Sequence, residues 1–134
     1  MNSRRLLVIL LRIGGAVTCM AFLAVFLPVE WMGAAHEWLG LGEFPRAPIV
    51  DYLARSIAML YGFHGVLLLI LAREPERHLT IVKFAGVMNI VFGVLMTAID
   101  VNAGLPVYWT LAEGPPIVVF GLIVLYLSRS IPES

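Results

Sequence analysis

The side chains best placed to do chemistry in this sequence are a few charged residues inside long apolar segments. Arg55 and Glu113 each lie seven residues beyond the proline that opens their segment, Pro48 and Pro106 respectively. At 1.5 Å per helical residue, both charges lie roughly 10 Å inside the segment. Because an unpaired charge at that depth in a membrane costs at least ~2.5 kcal/mol, we expect Arg55 to pair with Glu113. Asp51, one helical turn before Arg55, is expected to hold the guanidinium in place.

Two further polar residues, Asp100 and Asn102, are expected just above this pair. The resulting polar cluster has two interpretations. It is either a buried ion pair that fixes how the helices register, or a polar pocket, open to the outer side, that holds a ligand head group, a cation or a proton. Three acids around one arginine leave an excess of negative charge, which favours proton exchange on one carboxylate in the second interpretation.

Other reactive residue types do not form a recognisable site. His36, His64 and His78 fall at three different depths, so they do not converge on one metal ion, and His36-Glu37 lacks the second histidine of an HExxH zinc site. Cys19 is the only cysteine, which excludes an internal disulfide and a CxxC redox pair. We therefore predict no catalytic residue and no metal site. Single ligation of a haem by His64 stays open as an alternative.

The composition is that of a membrane protein. Of the 134 residues, 60% are hydrophobic and only 13% are charged, and the mean hydropathy is +0.94. Too few polar side chains remain to cover the surface of a soluble domain. The net charge is zero, so the sequence gives no reason to expect a nucleic-acid partner.

Four apolar segments are long enough to cross a bilayer as helices, which takes roughly 20 residues each. We predict a single all-α integral membrane domain over residues 1–134, folded as a four-helix bundle. Arg12 interrupts the first apolar run and no small-residue cleavage site follows it, so this run is interpreted as a retained helix rather than a signal peptide. The predicted spans are residues 6–27, 48–73, 79–99 and 106–128.

The fourth span contains Gly114-Pro115-Pro116. Two consecutive prolines remove two backbone donors, so a kink or break is expected there. The alternative is a helix that begins only at Pro115, with residues 105–114 lying in the interface. We favour the interrupted span because the continuous apolar run, residues 117–127, is too short to cross a bilayer.

The charges of the loops predict the orientation of the helices. Seven of the nine Lys and Arg residues fall on the side of the two termini and of the turn at residues 74–78, and only Arg46 and Arg55 fall on the other. The positive-inside rule therefore places both termini in the cytoplasm. The seven are Arg4, Arg5, Arg12, Arg73, Arg77, Lys83 and Arg129.

The longest connection, residues 28–47, is predicted on the outer side. Its stretch 30–39 predicts a short helix, ended by Gly40, that lies flat on the outer membrane surface. Trp31 and Trp38 share one face of that helix. Together with Trp109 they form an expected outer aromatic rim.

Small residues at helical spacing predict where the helices pack, since helices in lipid associate through close backbone approach. Ala58, Gly62 and Gly65 fall on one face of the second helix. Asn89 and Gly93 fall on a similar stripe of the third helix.

Several short patterns give the chain a family resemblance. Arg55 followed by Tyr61-Gly62, Asp100 followed by Gly104-Leu105-Pro106, and Glu113 resemble patterns in the small DoxX-like membrane proteins of bacteria. That resemblance implies a four-helix protein of the bacterial inner membrane. The wider DoxX group includes a quinone-reactive redox subunit and helper proteins of larger complexes.

Three functions fit these observations. The leading one is a non-enzymatic accessory or interaction subunit that is surrounded by membrane lipids, forms a homo-oligomer or joins a larger complex, and binds a lipid or another amphipathic ligand in its polar pocket. The first alternative is a small proton- or ion-coupled transporter or channel that uses Glu113 and Arg55. The second is a redox subunit that binds quinone or haem; no cofactor is predicted otherwise.

Overall fold

The computed structural model describes residues 2–132, and over that range its regular secondary structure is entirely α-helical. The six helices are α1 (Ser3–Cys19), α2 (Phe22–Phe26), α3 (Val29–Trp38), α4 (Pro48–Leu71), α5 (Leu79–Ala103) and α6 (Val107–Ser128).

Four helical stretches are long and apolar enough to span a membrane, as the sequence predicts. They are Ser3–Phe26, Pro48–Leu71, Leu79–Ala103 and Val107–Ser128. The predicted ends agree within a few residues, and the largest difference is at α5, which continues four residues beyond Ile99. That helix ends where Gly104 adopts a positive φ of 70°, and the N–H of Leu105 donates to the carbonyl of Asp100 at 3.0 Å. A left-handed glycine that closes the last turn is a common helix C-terminus.

The first span is two helices rather than the single one expected. Between α1 and α2, the N–H groups of Met20 and Ala21 donate to the carbonyls of Val17 and Thr18, each at 3.1 Å. Such bonds between residues three apart tighten the helix into a 3₁₀-like turn. This turn separates Cys19 from Phe22.

The fourth span does not contain the expected break. Helix α6 is continuous through Pro115 and Pro116. The helix begins at Val107, so the expectation that the span starts before the prolines is confirmed. Each proline removes one backbone donor, which leaves the carbonyls of Leu111 and Ala112 without their usual helical partner. The rest of the hydrogen-bond ladder keeps the segment helical, and whether its axis is kinked stays a prediction.

The chain forms two compact units. The first unit combines the residues up to Gly14 with those from Leu68 onward, and the second is Gly15–Leu67. The predicted single bundle domain stays a prediction.

The hydrophobic core of the first unit comes from parts of four helices, α1, α4, α5 and α6. Leu7 and Leu11 of α1, Leu68 of α4, Val82 of α5 and Val124 of α6 are each at most 1% exposed. At the same end of these segments, the guanidinium of Arg4 donates to both carboxylate oxygens of Glu76, at 2.9 and 3.2 Å. These hydrogen bonds hold the pKa of Glu76, which lies in the turn between α4 and α5, below its usual range.

Glycines bring the backbones of α5 and α6 together in the first unit. A Cβ added at Gly121 would lie 2.5 Å from the carbonyl oxygen of Gly86, and one added at Gly93 would lie 2.6 Å from that of Gly114. Any side chain at these positions would therefore push the helices apart. In lipid, such close approach supplies much of the association energy through van der Waals contact.

The second unit packs by the same principle. A Cβ at Gly62 would lie 2.5 Å from the ring of Phe22, and one at Gly65 would lie 2.6 Å from the backbone nitrogen of Cys19. Phe22 also contacts Phe63 edge to face, with ring centroids 5.4 Å apart. The turn after Cys19 thus lies between the two residues that pack on the glycines of α4.

Gly121→Ala is expected to destabilise the protein by about 1–3 kcal/mol, because the new methyl group overpacks the α5–α6 contact. Gly33→Ala in α3 is the matched control, since its Cβ would meet nothing closer than 3.7 Å and alanine favours a helix by roughly 0.5–1 kcal/mol. Thermal unfolding in mild detergent, followed by circular dichroism, measures both. Equal melting temperatures for Gly121→Ala and the wild type would show that the helices do not depend on this contact.

Candidate functional site

The structure distributes the predicted polar cluster over both units. Asp51 and Arg55 belong to the second unit, whereas Asp100, Asn102 and Glu113 belong to the first. Each group therefore has its own geometry.

In the second unit, Arg55 binds one carboxylate and two backbone carbonyls. Its Nε donates to Oδ1 of Asp51 at 2.8 Å, which confirms the contact expected one turn away. Its Nη2 donates to the carbonyl of Leu27 at 3.0 Å, and its Nη1 donates to the carbonyl of Val25. All three guanidinium nitrogens are thus hydrogen-bonded within this unit.

The two carbonyls lie where α2 ends at Phe26 and the chain continues into Pro28. The last carbonyls of a helix have no partner in their own backbone, and a proline adds no donor. A guanidinium supplies several donors in a fixed fork, so one side chain can bond to both carbonyls and to Asp51. The geometry gives Arg55 a structural role as a cap of the first span, and the Arg55–Glu113 pair, which would join the two units, stays a prediction.

In the first unit, Asp100 is the most unusual residue. Its side chain projects from the last turn of α5 and is only 2% exposed. Its Oδ2 atom is buried and has no hydrogen-bond partner within residues 2–132. Burial of an unpaired polar atom is costly, and of an unpaired charge far more so.

Glu113 of α6 lies near Asp100, because the next residue, Gly114, packs so closely on Thr97 of α5, one turn before Asp100, that an added Cβ would clash with it. Glu113 is half-buried, and its Oε2 accepts a hydrogen bond from the indole Nε1 of Trp109, one turn earlier, at 2.7 Å. Thr110, between them in sequence, is also buried. The Ala103 end of α5 and the start of α6 therefore hold two carboxyl groups among neutral residues.

Asn102 takes no part in this pair. It is exposed, and its side-chain amide donates to the carbonyl of Ala98 at 2.7 Å. With Thr97, it forms the polar part of an open groove along α5 and α6 of about 580 Å³. The apolar part of the groove is lined by Val94, Ala98, Val101, Pro115, Val118 and Val119.

The residues of the expected aromatic rim have different environments. Trp31 and Trp38 of α3 are 67% and 85% exposed, which suits side chains that anchor a helix at a membrane surface. Trp109 is half-buried and bonded to Glu113. Whether the three form a rim at one membrane surface stays a prediction.

The predicted packing residues lie largely inside. Ala58 is 7% exposed, and Gly62, Gly65 and Gly93 are buried. Asn89 is half-buried, and its amide donates to the carbonyl of Ala85 on its own helix at 2.8 Å.

The remaining reactive residues do not come together. No group of three or more His, Cys, Asp or Glu side chains is arranged to hold a metal ion in the described part of the chain. Nδ1 of His36 lies 2.9 Å from the carbonyl oxygen of Gly42, and the His36 ring contacts Phe44 edge to face. The thiol of Cys19 points to the carbonyl of Gly62, with a sulfur–oxygen distance of 3.7 Å.

Sequence reasoning missed three features of this site. The carbonyl partners of Arg55 have no sequence signature, because every residue has a carbonyl. The groove depends on how α5 and α6 pack against each other, which no residue type encodes alone. The Trp109–Glu113 bond could have been found, since the two residues are four apart on one helix.

Compared with protein families, curated proteins and solved structures, the chain matches none of them.

Arg55→Gln is expected to lower the free energy of unfolding by about 1.5–3 kcal/mol, because bonds from a charged donor to Asp51 and to two carbonyls are lost. Arg55→Lys should recover only part of the loss, since one ammonium group does not reproduce the guanidinium fork. Arg46→Gln is the control, because Arg46 is exposed in the same unit. Thermal unfolding measures stability, and hydrogen exchange at residues 22–29 measures the cap. Unchanged exchange in Arg55→Gln would show that the carbonyls do not need the arginine.

Proposed function

We propose that this protein is a non-enzymatic accessory or interaction protein of the membrane that binds a lipid or a similar amphipathic molecule. One observation carries the proposal, namely the groove along α5 and α6. Both helices are long and apolar enough to cross a membrane, so the occupant must be a molecule that is soluble in the lipid bilayer.

The shape and chemistry of the groove favour a molecule with one polar end. Its volume lies within the roughly 300–1,000 Å³ that small-molecule sites occupy. Most of its lining is aliphatic, which suits an acyl or prenyl chain. Asn102 lies near the Ala103 end of α5, and its side-chain oxygen is available to accept a bond from a head group, because only its amide nitrogen bonds to Ala98.

Ala98→Phe should reduce the amount of co-purifying lipid several-fold, since a phenyl ring from the exposed Ala98 would fill the groove. The matched control is Ile99→Phe, which adds similar bulk at the next position, where the side chain is 57% exposed and lies outside the groove. Native mass spectrometry of protein released from mild detergent measures both the bound mass and the number of chains.

Three outcomes would count against the groove as a lipid site. One is the same bound lipid in wild type, Ala98→Phe and Ile99→Phe. Another is a wild-type protein that carries no adduct under conditions that retain lipid on other membrane proteins. The third is a dimer that dissociates only in Ala98→Phe, which would make a second copy the occupant.

The same proposal places the protein in the bacterial cytoplasmic membrane with both termini inside, as a homo-oligomer or as a subunit of a larger complex. The DoxX-like resemblance and the charge asymmetry of the loops support this placement. The wide apolar surface of the spans, with residues such as Phe84 and Leu95 more than half exposed, supports association with lipid or with other helices.

The orientation can be tested with single cysteines in a Cys19→Ala background. Glu43→Cys in the long connection should react with a membrane-impermeant maleimide added to intact cells, and Glu74→Cys in the turn after α4 should react only after the cells are opened. Both native side chains are exposed, so accessibility within the protein does not limit the reaction. The reverse pattern would invert the topology.

A further inference from the structure

We propose that Asp100 and Glu113 form a proton-binding site, in which the two carboxyl groups take up and release one proton between them. This goes beyond binding of an amphipathic molecule and rests on different residues, because neither acid lines the α5–α6 groove.

Asp100 is buried with one carboxyl oxygen unpaired within residues 2–132. Its side chain is 98% buried, with one carboxyl oxygen that finds no donor in the described chain. A protein normally satisfies a buried polar atom with a hydrogen bond. A proton on the carboxyl group removes the charge and turns an orphaned acceptor into a group that can donate to a neighbouring oxygen.

Glu113 is the acid nearest to Asp100 on α6. Gly114, the next residue, packs against Thr97, one turn before Asp100, and two carboxylates at one buried site repel each other unless they share a proton. The pair also has unequal access, since Glu113 is half-buried and Asp100 is almost fully buried. Glu113 is therefore the residue through which the shared proton exchanges with the surroundings.

The charged and titratable groups on α5 and α6 lie mostly far from the two acids. The other titratable groups of α5 and α6 are Lys83, Tyr108 and Tyr126. Lys83 lies 17 residues from Asp100, or roughly 25 Å along the helix, and Tyr126 lies 13 residues from Glu113, or roughly 20 Å. Tyr108 lies at the start of α6, where the next two residues, Trp109 and Thr110, have uncharged side chains. Arg55 uses all three of its guanidinium nitrogens in the second unit.

The ligand atoms that the two acids offer suit a proton. Two carboxyl groups beside an indole and a threonine hydroxyl offer few oxygen ligands, whereas Ca²⁺ takes six to eight. A proton needs only one lone pair and a second oxygen to receive its hydrogen bond. The pair is therefore better suited to a proton than to a metal ion.

The test uses dicyclohexylcarbodiimide, an apolar reagent that enters the bilayer and adds to protonated carboxyl groups. The full chain, reconstituted in vesicles, is treated across a pH series, and peptide mass mapping locates the adduct. We expect one adduct per chain at neutral pH, on Glu113 or Asp100, with a yield that falls as the pH rises.

Variants separate a shared proton from ordinary reactivity. Asp100→Asn should lower the labelling of Glu113 at neutral pH several-fold, because the repelling charge is gone and Glu113 then releases its proton. Asp100→Glu, which keeps the second acid, should retain labelling. Asp51→Asn removes a carboxyl group from the other unit and should change nothing. If Asp100→Asn does not fold, the pH dependence of the protonated carboxyl stretch in infrared spectra of the wild type and of Glu113→Gln gives the same answer.

Three outcomes would overturn the proposal. One is a wild-type protein without an adduct on either residue at neutral pH, which would mean that both acids are ionised. Another is labelling of Glu113 that is unaffected by Asp100→Asn. The third is protection by Na⁺ at constant pH, which would make the pair a sodium site. None of these bears on lipid bound in the groove, so the two proposals fail separately.

Discussion

The close approach of α5 and α6 is the contact on which both candidate sites depend. Where the carbonyl oxygens of Gly86 and Gly114 face Gly121 and Gly93, no side chain separates the backbones. Lipid tails are as apolar as the helices, so burial of apolar area contributes little, and van der Waals contact between backbones must supply the association. That contact holds Asp100 beside Glu113. It also positions the two helices whose side chains line the groove near Asn102.

Arg55 and Asp100 are both ionisable residues within apolar helices, but their hydrogen bonding differs. Each guanidinium nitrogen of Arg55 donates one hydrogen bond, to Asp51 or to a carbonyl near the end of α2, and these bonds stabilise the fold. Asp100 instead has a buried carboxyl oxygen with no hydrogen-bond partner in residues 2–132. Buried ionisable groups in membranes mark functional sites by default, and the bonds of Arg55 already give it a structural role. Asp100 and Glu113 are therefore the better candidates for a functional site.

The groove and the acid pair are neighbours on the same two helices. Asn102 lies only two residues after Asp100, so a lipid head group bound at Asn102 would lie near the acid pair. The occupant of the groove and the proposed proton site would then be neighbours. An accessory subunit that binds an amphipathic molecule and a protonatable site are thus compatible functions of one helix pair.

Length and hydropathy by themselves determined the four spans, because each helix in lipid must satisfy its own backbone and must be apolar over roughly 20 residues. Glycine spacing likewise indicated the packed faces, and Gly40 marked the end of the short helix α3, whereas α5 continues to Ala103, four residues past its predicted end. Only the tertiary structure decided which groups meet. It gave Arg55 two carbonyls, which any residue offers and no pattern reveals. It kept α6 helical through Pro115 and Pro116, because the lost donors affect only two bonds while Gly114 packs closely against α5. It buried Asp100 without a partner, since burial depends on what the neighbouring helix places there and not on the residue itself.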